Sequence, residues 1–341
     1  MPTSILKHLV INNKNTVKIK KKMKKYLYIA IAAATLASCS QDEVMDVAEK
    51  EAITFGNAFV GNSTRAIDPS YSNANNKIQS FQLFGTVNNV NIYNDVKVEN
   101  KKSVDSNEEA GYGNEWYCPV TQYWVSDANY IFAAVVNANK INKDGYGMPT
   151  SLEYTLDGTT DMLYNSVTRK NNTAMVEFNF THLLSKVYFS FVNNMTVDSK
   201  YTYKVTDVKI TSGLATTGVY TIGATTPWAL GTTKTGNLEF GNIGGTAENE
   251  AATVLTYNAP TTSKDAKLII PGNQTLNISY TVELLYNGES VKSETKTASV
   301  THNFAENHVY NISGELQLTN EITFTVKTMN TWSETDEVVE M

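Results

Sequence analysis

From about residue 51 onward, apolar and polar residues alternate in short runs. The segments 53–55, 78–84, 130–136, 175–180, 186–192, 204–210, 276–285 and 322–326 set β-branched or aromatic residues at about every second position. Clusters of Asn, Gly, Asp and Ser separate them. A period of two predicts half-buried strands, and the separators predict turns. No segment sustains a long apolar stripe at helical spacing. Short strands at this spacing predict β-sandwiches rather than a parallel sheet covered by helices. Between residues 193 and 200 the chain turns polar, which predicts a boundary between two such domains.

Composition sharpens this picture. Among the 341 residues 41% are apolar and only 18% are charged, which argues against disorder and coiled coils. The formal net charge of −6 hides an asymmetry. Residues 1–38 hold eight lysines and no Asp, Glu or Arg; the remainder has 20 basic against 34 acidic residues, a net charge of −14. So acidic a body argues against a polyanionic partner, and no nucleic acid is expected.

The lysines lead into an address. Lys20, Lys21, Lys22, Lys24 and Lys25 precede a short apolar run over 26–36, too short for a stable membrane span. It ends in Leu36-Ala37-Ser38-Cys39, which resembles the lipobox of bacterial lipoproteins. That resemblance implies diacylglycerol on the Cys39 thiol and cleavage before Cys39, with Met23 as the expected translation start. Ser40-Gln41-Asp42-Glu43 then reads either as a surface-export signal or as a solvated tether. One cysteine besides Cys39 is present, Cys118, so an acylated Cys39 leaves no intramolecular disulfide. Cys118 lies between Tyr117 and Pro119 and reads as a buried, inert thiol.

Catalytic frames are missing. There is no Gly-x-Ser-x-Gly, Walker loop, His-Glu-x-x-His or Cys-x-x-Cys. His302 and His308 are six residues apart; on one strand they would be about 20 Å apart, too far to share a metal ion. No catalytic, cofactor-binding or metal site is expected, and the chain does not read as an enzyme.

One segment is more specific. Phe178-Asn-Phe180-Thr-His182-Leu-Leu-Ser-Lys186-Val187-Tyr-Phe189 resembles the Phe-x-His-x-Leu-x-Lys-Val strand of the fimbrillin family, the type V pilus subunits of Gram-negative anaerobes. Ile78-x-x-Phe81, Tyr123-Trp124, Leu268-Ile-Ile-Pro271-Gly, Phe304-Ala-Glu-Asn307-His-Val-Tyr310 and Ile322-x-Phe324-x-Val326 before Trp332 fit the same family in the same order. The resemblance implies two transthyretin-like, Greek-key β-sandwiches. His182 and Lys186 then read as core or edge residues, and Trp116, Trp124, Trp228 and Trp332 as core or interface anchors.

The resemblance also implies a processing route. Fimbrillins are made as lipid-tethered precursors and are cut by a trypsin-like protease after an arginine beyond the first β segment. Arg65 is the first arginine of the chain, in a polar stretch, so the expected cut falls between Arg65 and Ala66. The expected organisation is a leader over 1–38, a tethered propeptide over 39–65, an N-terminal sandwich over 66–195 and a C-terminal sandwich over 196–341. Ile53, Phe55, Phe59 and Val60 would form the strand displaced by the cut. The replacing strand would come from another subunit, with Ile322, Phe324, Val326, Trp332, Val338 and Val339 as candidates. Whether 322–326 is a donor or a core strand stays open, as does stalk against tip. Expected partners are other pilin subunits, the protease, the outer membrane through the lipid, and a host or bacterial surface receptor. The competing reading is a surface lipoprotein that stays tethered and binds glycan or protein.

Overall fold

The alternating runs become twenty strands in the computed structural model, which describes residues 51–60, 78–102, 112–170, 175–195, 199–245, 251–263, 265–317 and 322–331. The first ten are β1 (Phe55–Val60), β2 (Ser80–Val87), β3 (Val90–Lys102), β4 (Tyr112–Tyr117), β5 (Asn129–Val136), β6 (Lys140–Lys143), β7 (Pro149–Thr155), β8 (Leu163–Lys170), β9 (Val176–His182) and β10 (Ser185–Asn193). The second ten are β11 (Tyr201–Leu214), β12 (Thr217–Thr221), β13 (Trp228–Leu230), β14 (Gly236–Gly241), β15 (Pro260–Thr262), β16 (Lys267–Ile269), β17 (Gly272–Tyr286), β18 (Glu289–Phe304), β19 (His308–Leu316) and β20 (Thr323–Thr331). No helix occurs among the described residues, so the protein is all-β as its periodicity predicts.

Four sheets arise. The first has seven strands in the order β1-β9-β8-β5-β2-β3-β4. It curls so that its two edges, β1 and β4, lie side by side without pairing. Its concave face gathers Phe55, Phe81, Tyr93, Phe132, Phe178 and Phe180 into an aromatic core, covered by Trp116, Val120 and Trp124. Its other face, through Phe84, Ala133 and Val135, packs with Leu152 and Tyr154 of a four-stranded sheet ordered β13-β12-β7-β6.

The last two sheets form the second sandwich. One is β15-β10-β19-β20, with β16 also on β10; the other is β14-β11-β17-β18. Phe189, Phe191 and Ile312 of the first face Ile210, Phe240, Ile278 and Tyr280 of the second. Inward residues alternate with exposed ones along β9 and β14, the pattern of a strand with one wet face.

The expected division at 195/196 is not where the sheets part. β10 lies in the second sandwich, parallel to β19 from Ser185↔His308 to Asn193↔Leu316. Conversely, β12 pairs antiparallel with β7 from Thr217↔Thr155 to Thr221↔Ser151, carrying β13 and Trp228 back to the first half of the chain. The physical reason is burial: Leu152 and Tyr154 need a covering layer, which Tyr220, Trp228, Leu268 and Ile270 supply.

Candidate functional site

The leading segment is the part of the chain on which the functional expectation turns. Its first residues are pinned by backbone hydrogen bonds. The Ile53 amide donates to the Gln122 carbonyl at 2.8 Å, the Trp124 amide to the Glu51 carbonyl at 3.0 Å, and the Val176 amide to the Thr54 carbonyl at 2.8 Å. The strand β1 then runs parallel to β9, from Phe55↔Val176 to Val60↔Phe180, with a bulge between Gly56 and Ala58. A parallel neighbour cannot be reached by a hairpin, and more than a hundred residues separate these partners. No local connection therefore holds β1; its ladder and its side chains do.

Those side chains go inward. Ile53 is 5% exposed and Phe55 is 4% exposed. Around the Phe55 ring stand Tyr93 at 5.6 Å and Phe132 at 6.1 Å, both edge-on, and Phe178 at 6.3 Å, stacked. Edge-on and stacked arrangements are the ones aromatic quadrupoles favour. Burial pushes the Tyr93 hydroxyl well above its ordinary pKa, consistent with a dry box. Beside the box, a side chain at Gly56 would run into Met175, whose own side chain is partly exposed.

The neighbour β9 depends on this strand. Its pairing with β8 covers only Leu163↔His182 and Tyr164↔Thr181. Over Val176–Phe180, among the described residues, β1 is its ladder partner. At the far end of β9, His182 Nδ1 and Asp161 Oδ2 are 2.5 Å apart, and His182 is buried. Burial raises the Asp161 pKa, and the bond to His182 pulls it partly back. His182 is thus a bonded core histidine, as its position in the motif implied.

The other chain end is also a strand. β20 pairs antiparallel with β19 and forms one edge of its sheet. Ile322, Phe324 and Val326 pack half-buried on the second core, with the Phe324 ring edge-on to Phe191 at 5.7 Å and Tyr280 at 5.4 Å. So 322–326 is a sandwich strand in the isolated chain.

The remaining sequence candidates divide by position. Ile53 and Phe55 lie in the core. Phe59 and Val60 meet Asn179 and Phe180 through the backbone. Cys39, Arg65, Ala66, Trp332, Val338 and Val339 lie outside the described residues. Cys118 is half-buried, its thiol donates to the Val120 carbonyl at 3.2 Å, and burial raises its pKa, so it is held as an unreactive thiol. His302 and His308 do not share a strand: they sit on β18 and β19 and flank Tyr310, at 5.2 and 6.3 Å from its ring. Among the described residues no group of three or more His, Cys, Asp or Glu could hold a metal ion. Two features escaped the sequence reading, the parallel pairing with β9 and the strap over 122–124 that grips residues 51–53. Alternation fixes which face a residue takes but carries no signal for its partner strand.

A family model described as Fimbrillin-like matches residues 64–332. Among solved structures, a fimbrial protein from Bacteroides vulgatus ATCC 8482 has the same fold with a TM-score of 0.57; the two are 12% identical, over 82% of this chain and 99% of that one. A fimbrial assembly protein from Parabacteroides distasonis ATCC 8503 aligns with a TM-score of 0.41 at 14% identity, over 81% of this chain and 96% of that one. No curated protein matches the chain in sequence.

Proposed function

The chain belongs to the Fimbrillin-like family, and from that premise we propose that it is a structural subunit of a cell-surface fimbria that polymerises by strand exchange. The precursor is anchored in the outer membrane through lipid on Cys39. A trypsin-like protease cuts between Arg65 and Ala66 and frees residues 66–341. The propeptide departs with β1, and the C-terminal segment of a second subunit takes its place. The contact is head-to-tail, so it builds an open filament rather than a closed ring.

The observation that carries this reading is the burial of Ile53 and Phe55 in a leading segment whose strand β1, among the described residues, pairs with β9 as its one sheet neighbour. Removing such a strand bares the backbone groups of β9 and the box of Tyr93, Phe132 and Phe178. An open edge beside an apolar slot accepts an added strand from another chain. Refilling the slot with three or four apolar side chains returns roughly 5–10 kcal/mol of gross burial, part of which the entropy of association offsets. The role is structural and needs no catalytic group, metal or cofactor.

Sequencing the N-terminus of the protein taken from the cell surface tests the proposal. A start at Ala66 supports it. An acylated Cys39 as the sole N-terminus contradicts it and leaves a tethered binding module. Replacing the arginine, Arg65→Ala, should leave the fold intact and trap a membrane-bound monomer; polymer at wild-type levels in that variant also contradicts the proposal.

A further inference from the structure

The strand that leaves and the last described strand share a tripeptide. Ile53-Thr54-Phe55 and Ile322-Thr323-Phe324 are identical, and the sequence Ile-Thr-Phe occurs nowhere else in the chain. In the first copy Ile53 and Phe55 point inward and Thr54 is exposed. In the second, Ile322 and Phe324 also face a core, but only half-buried, at the edge of their sheet. Resting on the strand-exchange reading above, we infer that β20 itself is the donor strand, and that it enters a second copy with Ile322 and Phe324 in the places of Ile53 and Phe55.

The register follows from the β1 ladder. With Phe324 in the place of Phe55, it lies opposite Val176 and Thr325 lies opposite Glu177; beyond them β1 bulges, setting Ala58 opposite Phe178, whereas an unbulged β20 would bring Val326 opposite Phe178 and Thr328 opposite Phe180. From Thr323 to Thr328 β20 pairs with β19 without a bulge, so it would enter as a straight strand where β1 bulges between Gly56 and Ala58. Where β1 has Gly56, β20 brings Thr325. Its Cβ would meet the Met175 side chain, an exposed, unbranched group that can swing aside.

The exchange also has a direction. Leaving home, β20 gives up its ladder along β19 and the edge contacts of Phe324 with Phe191 and Tyr280. In the slot it regains a ladder along β9. There Phe324 moves from a half-exposed edge into a three-ring box where the present occupant is 4% exposed. The same side chain thus loses more water in the neighbour than at home, which favours the polymer.

Cysteine pairs on the exposed face read the register without disturbing the box. In a Cys118→Ser background, Thr325→Cys combined with Glu177→Cys is processed, allowed to polymerise and oxidised. The expected result is a ladder of disulfide-linked oligomers on a non-reducing gel, absent from the uncut precursor, where β1 still lies beside Glu177. The competing register, with Trp332 in the box, sets Ser333 opposite Glu177 and is read by Ser333→Cys combined with Glu177→Cys. Polymer that links only through Ser333→Cys, or through neither pair, overturns this register while strand exchange stands. Processed protein that forms no polymer overturns strand exchange, and this inference with it.

Discussion

Phe55 stacks on Phe178, with ring centroids 6.3 Å apart and planes 8° from parallel, across the parallel ladder between β1 and β9. Phe55 therefore helps to complete the core of the residues that the proposed cut would leave in place. In the chain starting at Cys39, Phe55→Ala should destabilise the fold by about 3–5 kcal/mol, the usual cost of emptying a buried aromatic site. In the chain starting at Ala66 residue 55 is gone, so the processed protein made from that variant should match the wild type. Urea unfolding of the four proteins reads both halves. Equal stability of the two precursors would mean that the box does not need its fourth ring.

Gly314 lies opposite Phe324 in the β19–β20 ladder. A Cβ there would come within 2.8–2.9 Å of the Phe191 and Phe324 rings. Gly314→Ala should therefore loosen β20 and cost roughly 1–3 kcal/mol, the range for overpacking a tight contact. Because it weakens the home site of β20 and leaves the slot untouched, it should also speed polymerisation of the processed chain. Thermal unfolding and light-scattering growth curves report the two effects.

The Asp161–His182 pair at the end of β9 gives a pH dependence. Burial raises the Asp161 pKa, so folding favours its protonated form. That contribution is fully present below the ordinary carboxylate value of about 3.9 and is lost as pH rises through the raised value. Asp161→Asn removes the titration. Plots of unfolding free energy against pH should be flatter for this variant from about pH 4 upward. Parallel curves would contradict the assignment of that slope to Asp161.

Much of the fold was legible in the sequence, because alternation is a direct consequence of strands with one wet face. The runs at 78–84, 130–136 and 204–210 became β2, β5 and β11, and Ile53-Thr54-Phe55 was readable as the start of a buried leading strand. Partner choice was not legible. Phe55 alternates the same way whether its neighbour is antiparallel or, as found, the parallel β9. The grouping of strands into sheets was not legible for a related reason: β10 pairs with the distant β19, while β12 and β13 return to cover Leu152 and Tyr154. Counting six residues from His302 to His308 assumed one strand, and the turn at Glu306 and Asn307 put them on two.

Hydrogen exchange of the β9 amides over residues 176–180 tests the central claim most directly, because β1 is their ladder partner. The account predicts protection in the uncut precursor, loss of protection in the processed monomer, and its return in the polymer. Protection unchanged by the cut, or still absent in the polymer, would contradict it.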